Sequence, residues 1–96
     1  MAVYAIAQLT ITDRATDNRY MGRFMGVFNR FRGRLLAADE SPQVVEGAWD
    51  RDKVVLLCFP DEAAFREWLE SPGYQEIVKD RKASSDAVVL LVKGID

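Results

Sequence analysis

The sequence contains no histidine, and that absence alone removes catalytic triads with a histidine base, histidine-ligated zinc and imidazole pH switches. Proton transfer is left to Asp, Glu, Tyr, Lys, Arg and a single cysteine, Cys58. A lone cysteine cannot form an intramolecular disulfide, and small secreted domains usually carry several, so a cytoplasmic location is expected. Long hydrophobic runs are missing too. The longest, Met1 to Ala7, gives way at Gln8, far short of the roughly 20 residues that span a bilayer, and lacks the basic segment of a signal peptide. No membrane partner is expected. The three prolines, Pro42, Pro60 and Pro72, sit where elements should change, and no repeat or linker composition interrupts the chain. Without a glycine-rich phosphate loop, a CxxC pair or an acidic cluster, neither a cofactor nor a metal is expected.

What remains is 96 residues, 49% of them apolar and 29% charged, a composition that suits one globular domain over residues 1–96. A net charge of −2 gives no whole-molecule attraction to nucleic acid or anionic lipid. Arg19, Arg23, Arg30, Arg32 and Arg34 form a local basic edge against Asp17 alone. A charged stripe beside an apolar one is ordinarily the solvated side of an amphipathic helix, and no aromatics interleave to stack bases, so no nucleic-acid partner is expected.

Periodicity supplies the order of elements. Residues 2–11 mix β-branched and aromatic side chains and read as a strand. From Thr16 or Asp17 as cap, Tyr20, Phe24, Val27, Phe28 and Phe31 recur at helical spacing, predicting a helix that Gly33 ends as a left-handed C′ residue. Arg34 to Ala38 and Gln43 to Ala48 read as a kinked second strand or small hairpin around Asp39 to Pro42. The turn at Trp49-Asp-Arg-Asp52 leads into a strand over Lys53 to Phe59. Pro60-Asp61 opens a short helix with Phe65, Trp68 and Leu69 on one stripe, and Ser71-Pro72 caps another whose stripe is Tyr74, Ile77, Val78 and Arg81. Ala87 to Val92 is the last strand. The order β-α-β-β-α-β is that of the ferredoxin-like α+β sandwich, an antiparallel four-stranded sheet with helices on one face.

Such a sheet should alternate apolar and polar residues, because its other face meets water. Val54 to Phe59 and Ala87 to Val92 are instead apolar at every position. With the helices assigned to one face, a second copy packing sheet against sheet is the economical cover for the other, and a homodimer is expected.

Tyr4-Ala-Ile-Ala7, Thr12-Asp13, Gly33-Arg34, Glu46-Gly-x-Trp49, Val54 to Phe59, Trp68, Ser71-Pro-x-Tyr74-Gln75 and Arg81 together resemble the family of small bacterial proteins called domain of unknown function 1330, of the dimeric α/β-barrel superfamily. Arg14, where a proline often follows Thr-Asp, and Arg32, where a second glycine often precedes Gly-Arg, depart from its pattern. The resemblance implies a ferredoxin-like subunit that dimerises through its sheet, and no settled activity.

In a dimeric barrel of this kind the pocket lies between sheet and helices. Tyr74 and Arg81 fall on one helical face and suit a clamp on an anionic or carbonyl-bearing small organic ligand, or else an amphipathic core tyrosine with an arginine near the helix C-terminus. Tyr4, Gln8 and Tyr20 are further pocket candidates, and Trp49 is a candidate for a pocket rim or dimer contact. Asp50 and Asp52 pair carboxylates in a turn, which is more often a solvated turn than an acid–base couple. Cys58, inside an apolar strand, reads as an inert core thiol. The function expected is small-molecule binding, with cofactor-independent catalysis as one extension and a non-catalytic dimeric module as the alternative.

Overall fold

The computed structural model describes residues 1–95; Asp96, the last residue of the expected domain, lies outside the described residues. The elements are β1 (Val3–Ile11), α1 (Arg14–Phe28), β2 (Arg34–Asp39), β3 (Lys53–Phe59), α2 (Glu62–Leu69), α3 (Pro72–Ser84) and β4 (Ser85–Lys93). The strands form one antiparallel sheet in the order β2-β3-β1-β4, the ferredoxin-like arrangement expected from the element order. A capping serine splits the second helical stretch. The Ser71 hydroxyl donates to the Trp68 carbonyl at 2.7 Å and accepts from the Tyr74 amide at 3.2 Å, so α2 ends and α3 begins within a few residues, with Pro72 at the first position of α3.

Register fixes the two faces of the sheet. Val3, Ala5, Ala7 and Leu9 point to the helices, alongside Phe59, Leu57, Val55 and Lys53 of β3 and Leu91, Val89 and Ala87 of β4. Above Val3, Leu57 and Phe59 the core closes around aromatic rings: Phe28 and Phe59 meet edge to face at 5.9 Å between centroids, and each lies 5.5 Å from Trp68. The opposite face carries Tyr4, Ile6 and Gln8 beside Cys58, Leu56 and Val54 on one flank and Val92, Leu90 and Val88 on the other. The three helices lie over the inner face, and Val88, Leu90 and Val92 keep 42–47% of their surface exposed on the outer one. The run of consecutive apolar residues in β4 therefore does mark a sheet with a bare apolar face.

Four local expectations are corrected. Asp13, not Thr16 or Asp17, caps α1: its carboxylate accepts from the Thr16 amide and hydroxyl. Gly33 does not adopt a left-handed conformation; α1 ends at Asn29 in the right-handed region, and Gly33 is required because a Cβ there would stand 2.6 Å from the Phe28 and Phe59 rings. Residues 43–48 join no strand, and Val45 is 92% exposed, since β3 is already paired on both edges by β2 and β1. Gly47, at φ 88°, turns this segment, and β4 starts two residues before Ala87.

Candidate functional site

A cavity of about 470 Å³ lies between the inner sheet face and the helices. Its space comes from short side chains: Ala5 and Ala7 form the floor in the central strand, and Ala38 continues it on β2. Phe24, Phe65 and Trp68 form an aromatic wall, while Met21, Met25, Leu35 and Val89, each 40–49% exposed, line its open side. Size and apolar lining are those of an organic-ligand site.

Polar groups converge on this apolar space. Tyr20 projects from α1, and Tyr74 and Arg81 from α3, where positions i and i+7 share a face. Burial first, then the neighbouring Tyr74 phenol and the Asp17 charge, push the Tyr20 phenol far above its ordinary range, against an opposing pull from Arg81. Tyr20 is thus a neutral hydrogen-bond donor at any physiological pH. Arg81 forms no ion pair among the described residues. Two phenols and a free guanidinium are a donor set for a carbonyl or anionic oxygen.

The other sequence candidates lie elsewhere. Tyr4 and Gln8 belong to the outer face, and the Trp49 indole Nε1 donates to Gln8 Oε1 at 3.1 Å, which places Trp49 there too. Gln8 thereby finds the partner that a polar interruption in an apolar strand requires. Asp52 accepts from the Ile11 amide at 2.8 Å and pins the turn before β3, while Asp50 is exposed. Cys58 is buried on the outer face across from Tyr4 and Arg34. The basic edge is partly neutralised, with Arg19 holding Asp80 through two bonds of 2.8 and 2.9 Å and Arg32 standing 3.8 Å from Glu67. No cluster of three or more metal-ligating side chains occurs among the described residues, nor a helix long and apolar enough to cross a membrane.

Two buried charged lining residues, Asp17 and Lys53, are not expected at a pocket from the sequence, where Asp17 reads only as a capping candidate and as the acid among the basic-edge arginines. A signal for each exists. Asp17 sits three and seven positions before Tyr20 and Phe24, on the apolar stripe of α1, and Lys53 has the parity of Val55, Leu57 and Phe59, the helix-facing set of β3.

A family model described as Domain of unknown function (DUF1330) matches residues 2–95. The chain belongs to the DUF1330 family. A search of curated proteins gave no match. Among solved structures, this DUF1330 chain is similar to RPA0582 of Rhodopseudomonas palustris, a protein of unknown function, with a TM-score of 0.82 at 20% identity, covering 99% of this chain and 83% of that one. It is also similar to SnoaB of Streptomyces nogalater, a cofactor-independent oxygenase, with a TM-score of 0.73 at 20% identity over 99% of this chain and 94% of that one. A dimeric ferredoxin-like protein of unknown function from Thermobifida fusca gives 0.71 at 14% identity over 98% and 92%. At these identities the likeness is one of fold, which DUF1330 here shares with dimeric α/β-barrel proteins.

Proposed function

We propose that the chain is a homodimeric small-molecule-binding protein. The observation that carries the reading is the aromatic-walled cavity of about 470 Å³ into which Tyr20, Tyr74 and Arg81 converge. In this reading Arg81 and the two phenols hold an anionic or carbonyl oxygen, and the apolar wall takes the rest of the molecule. A second copy covers Ile6, Leu56, Val88, Leu90 and Val92, with Tyr4, Gln8 and Trp49 as interface residues rather than ligand contacts; the dimeric description of the Thermobifida fusca structure supports this. Residues 1–96 act as one cytoplasmic domain, with Cys58 a reduced core thiol and no cofactor required.

Cofactor-independent turnover of the bound molecule is the catalytic extension, supported by fold analogy with the oxygenase from Streptomyces nogalater. Binding without turnover is the second reading. It is favoured by Tyr20, whose phenol is held protonated and cannot serve as a general base. Native mass spectrometry on freshly purified protein tests both parts. The expected species has twice the 10.9 kDa subunit mass and carries a small added mass that Tyr74→Phe combined with Arg81→Ala removes. A stable monomer refutes the sheet-face dimer, and an added mass indifferent to both substitutions refutes the site.

A further inference from the structure

Two charged side chains of the cavity, Asp17 and Lys53, are buried with no charged partner within hydrogen-bond reach. Asp17 is 2% exposed, and its Oδ2 is fully shielded with no hydrogen-bond donor among the described residues. Arg14, the ion-pair neighbour of Asp17, stands 3.9 Å from that oxygen, too far to donate to it. The N-terminal end of the α1 dipole offsets part of the cost of burying a carboxylate but supplies no hydrogen bond to Oδ2. Lys53 is 6% exposed, and its Nζ meets the Met21 thioether at 3.0 Å, a weak acceptor for a group with three strong donors. The two charges do not pair with each other: Lys53 rises from β3 and Asp17 descends from α1, with no nitrogen–oxygen approach within 4.0 Å. Met21 lies one helical turn beyond Asp17, so the carboxylate and the sulfur that Lys53 touches occupy the same face of α1. Trp68 adds a third group without a partner, its buried indole Nε1.

A ligand that completes this set is constrained by counting. Lys53, Arg81, Lys82 and the Tyr20 and Tyr74 phenols can donate, whereas the Asp17 carboxylate accepts. The occupant must therefore bring several acceptor oxygens and one donor, on a body flat enough for Phe24 and Trp68. We infer that the cavity takes a hydroxylated aromatic acid, its carboxylate shared between the Lys53 ammonium and Arg81 and its hydroxyl donating to the Asp17 carboxylate. The inference rests on the small-molecule reading and adds the class of ligand. A buried ammonium resting on a thioether and a buried carboxylate short of a hydrogen-bond donor are costly to keep empty, and an acid with a hydroxyl satisfies both at once.

The test is an amide and indole NMR titration of the intact protein with 3- and 4-hydroxybenzoate, benzoate and phenol. At least one hydroxybenzoate should bind ten or more times tighter than both benzoate and phenol, moving the Trp68 indole signal and leaving that of Trp49 in place. Lys53→Met should cut the advantage of the acids over phenol at least severalfold, and Asp17→Leu the advantage of the hydroxybenzoates over benzoate, each in a protein whose spectrum stays folded. The ranking on the unaltered protein decides the matter even if a variant does not fold. If phenol binds as tightly as the acids, or either advantage survives its substitution undiminished, the inference fails while the cavity reading stands. If none of the four compounds moves the Trp68 signal, the inference fails, and the cavity reading is decided by the native mass spectrometry above.

Discussion

Gly33 offers a test in which one chemical change has opposite signs at different places in the chain. A Cβ added there would lie 2.6 Å from Phe28 Cζ and 2.6 Å from Phe59 Cε1, inside any carbon–carbon contact. Neither ring can retreat: they are 1% and 0% exposed and both pack on Trp68. Overpacking a close-fitted core costs about 1–3 kcal/mol, and two immobile rings place Gly33→Ala at the upper end. The stiffer unfolded chain returns less than about 1 kcal/mol. A net loss of about 2–3 kcal/mol lowers the melting temperature of a domain this size by roughly 8–24 °C. Gly22 and Gly26, in α1, have nothing within 4 Å of an added Cβ. There the same substitution removes a helix-interior glycine and should stabilise by about 0.5–1 kcal/mol, or roughly 2–8 °C. The assay is thermal unfolding by circular dichroism at one fixed protein concentration. Gly33→Asn separates the steric account from the left-handed one. If Gly33 were needed for a positive φ, asparagine would be milder than alanine, whereas against two rings it is at least as damaging. A Gly33→Ala melt within a few degrees of wild type, or a clear rescue by asparagine, refutes the reasoning.

Leu90→Asp puts a charge at the centre of the bare sheet face and should convert a dimer to a folded monomer, read by sedimentation velocity at a concentration where the unaltered chain is dimeric. Asp80→Asn removes the two-bond partner of Arg19, whose hydrogen bond holds the Asp80 carboxyl below its ordinary value. A depressed folded-state pKa contributes stability above the unfolded value and loses it as pH falls through the folded one. The urea midpoints of wild type and Asp80→Asn should therefore differ at neutral pH and converge below the usual aspartate range. Gln8→Leu leaves the Trp49 indole without its acceptor and should cost about 1 kcal/mol in the same denaturation.

β1, β3 and β4 were legible because they announce themselves twice, by β-branched content and by apolar residues on both parities. That second property also pointed to the uncovered face, since Leu90 and Leu91 cannot both face the helices. Local chemistry was less legible where tertiary contacts decided it. A helix entered from Thr12-Asp13 offers several capping residues in a row, and the choice of Asp13 depends on where β1 releases the chain, which the Ser84 carbonyl fixes by accepting from the Thr12 and Asp13 amides at 2.7 and 3.1 Å. Gly33 was visible as a necessary glycine, but its reason lies in two phenylalanines brought together from α1 and β3. Tyr4 and Gln8 were assigned to a pocket because a strand buried on both faces does not say which parity meets the helices. The register answers that: it sends Tyr4, Ile6 and Gln8 outward with Leu56 and Leu90, and Ala5 and Ala7 inward.

The same parity rule makes Asp17 and Lys53 intelligible. On composition they are two of 28 charged residues, indistinguishable from solvated ones. On position each replaces an apolar side chain, Asp17 on the α1 stripe that continues through Tyr20 and Phe24, and Lys53 at the inward end of the β3 set Val55, Leu57 and Phe59. Selection for stability alone disfavours a charge at either place, because a buried charge without a hydrogen-bonded counter-charge costs more than a hydrophobic side chain of similar volume. Both residues line the same cavity from opposite walls, and short alanines beneath them leave room that a core built for stability would have filled. Three departures from good packing at one location, namely an unpartnered carboxylate oxygen, an ammonium resting on a thioether and an alanine floor, have one common physical explanation in an occupant that supplies the missing oxygen, donor and volume.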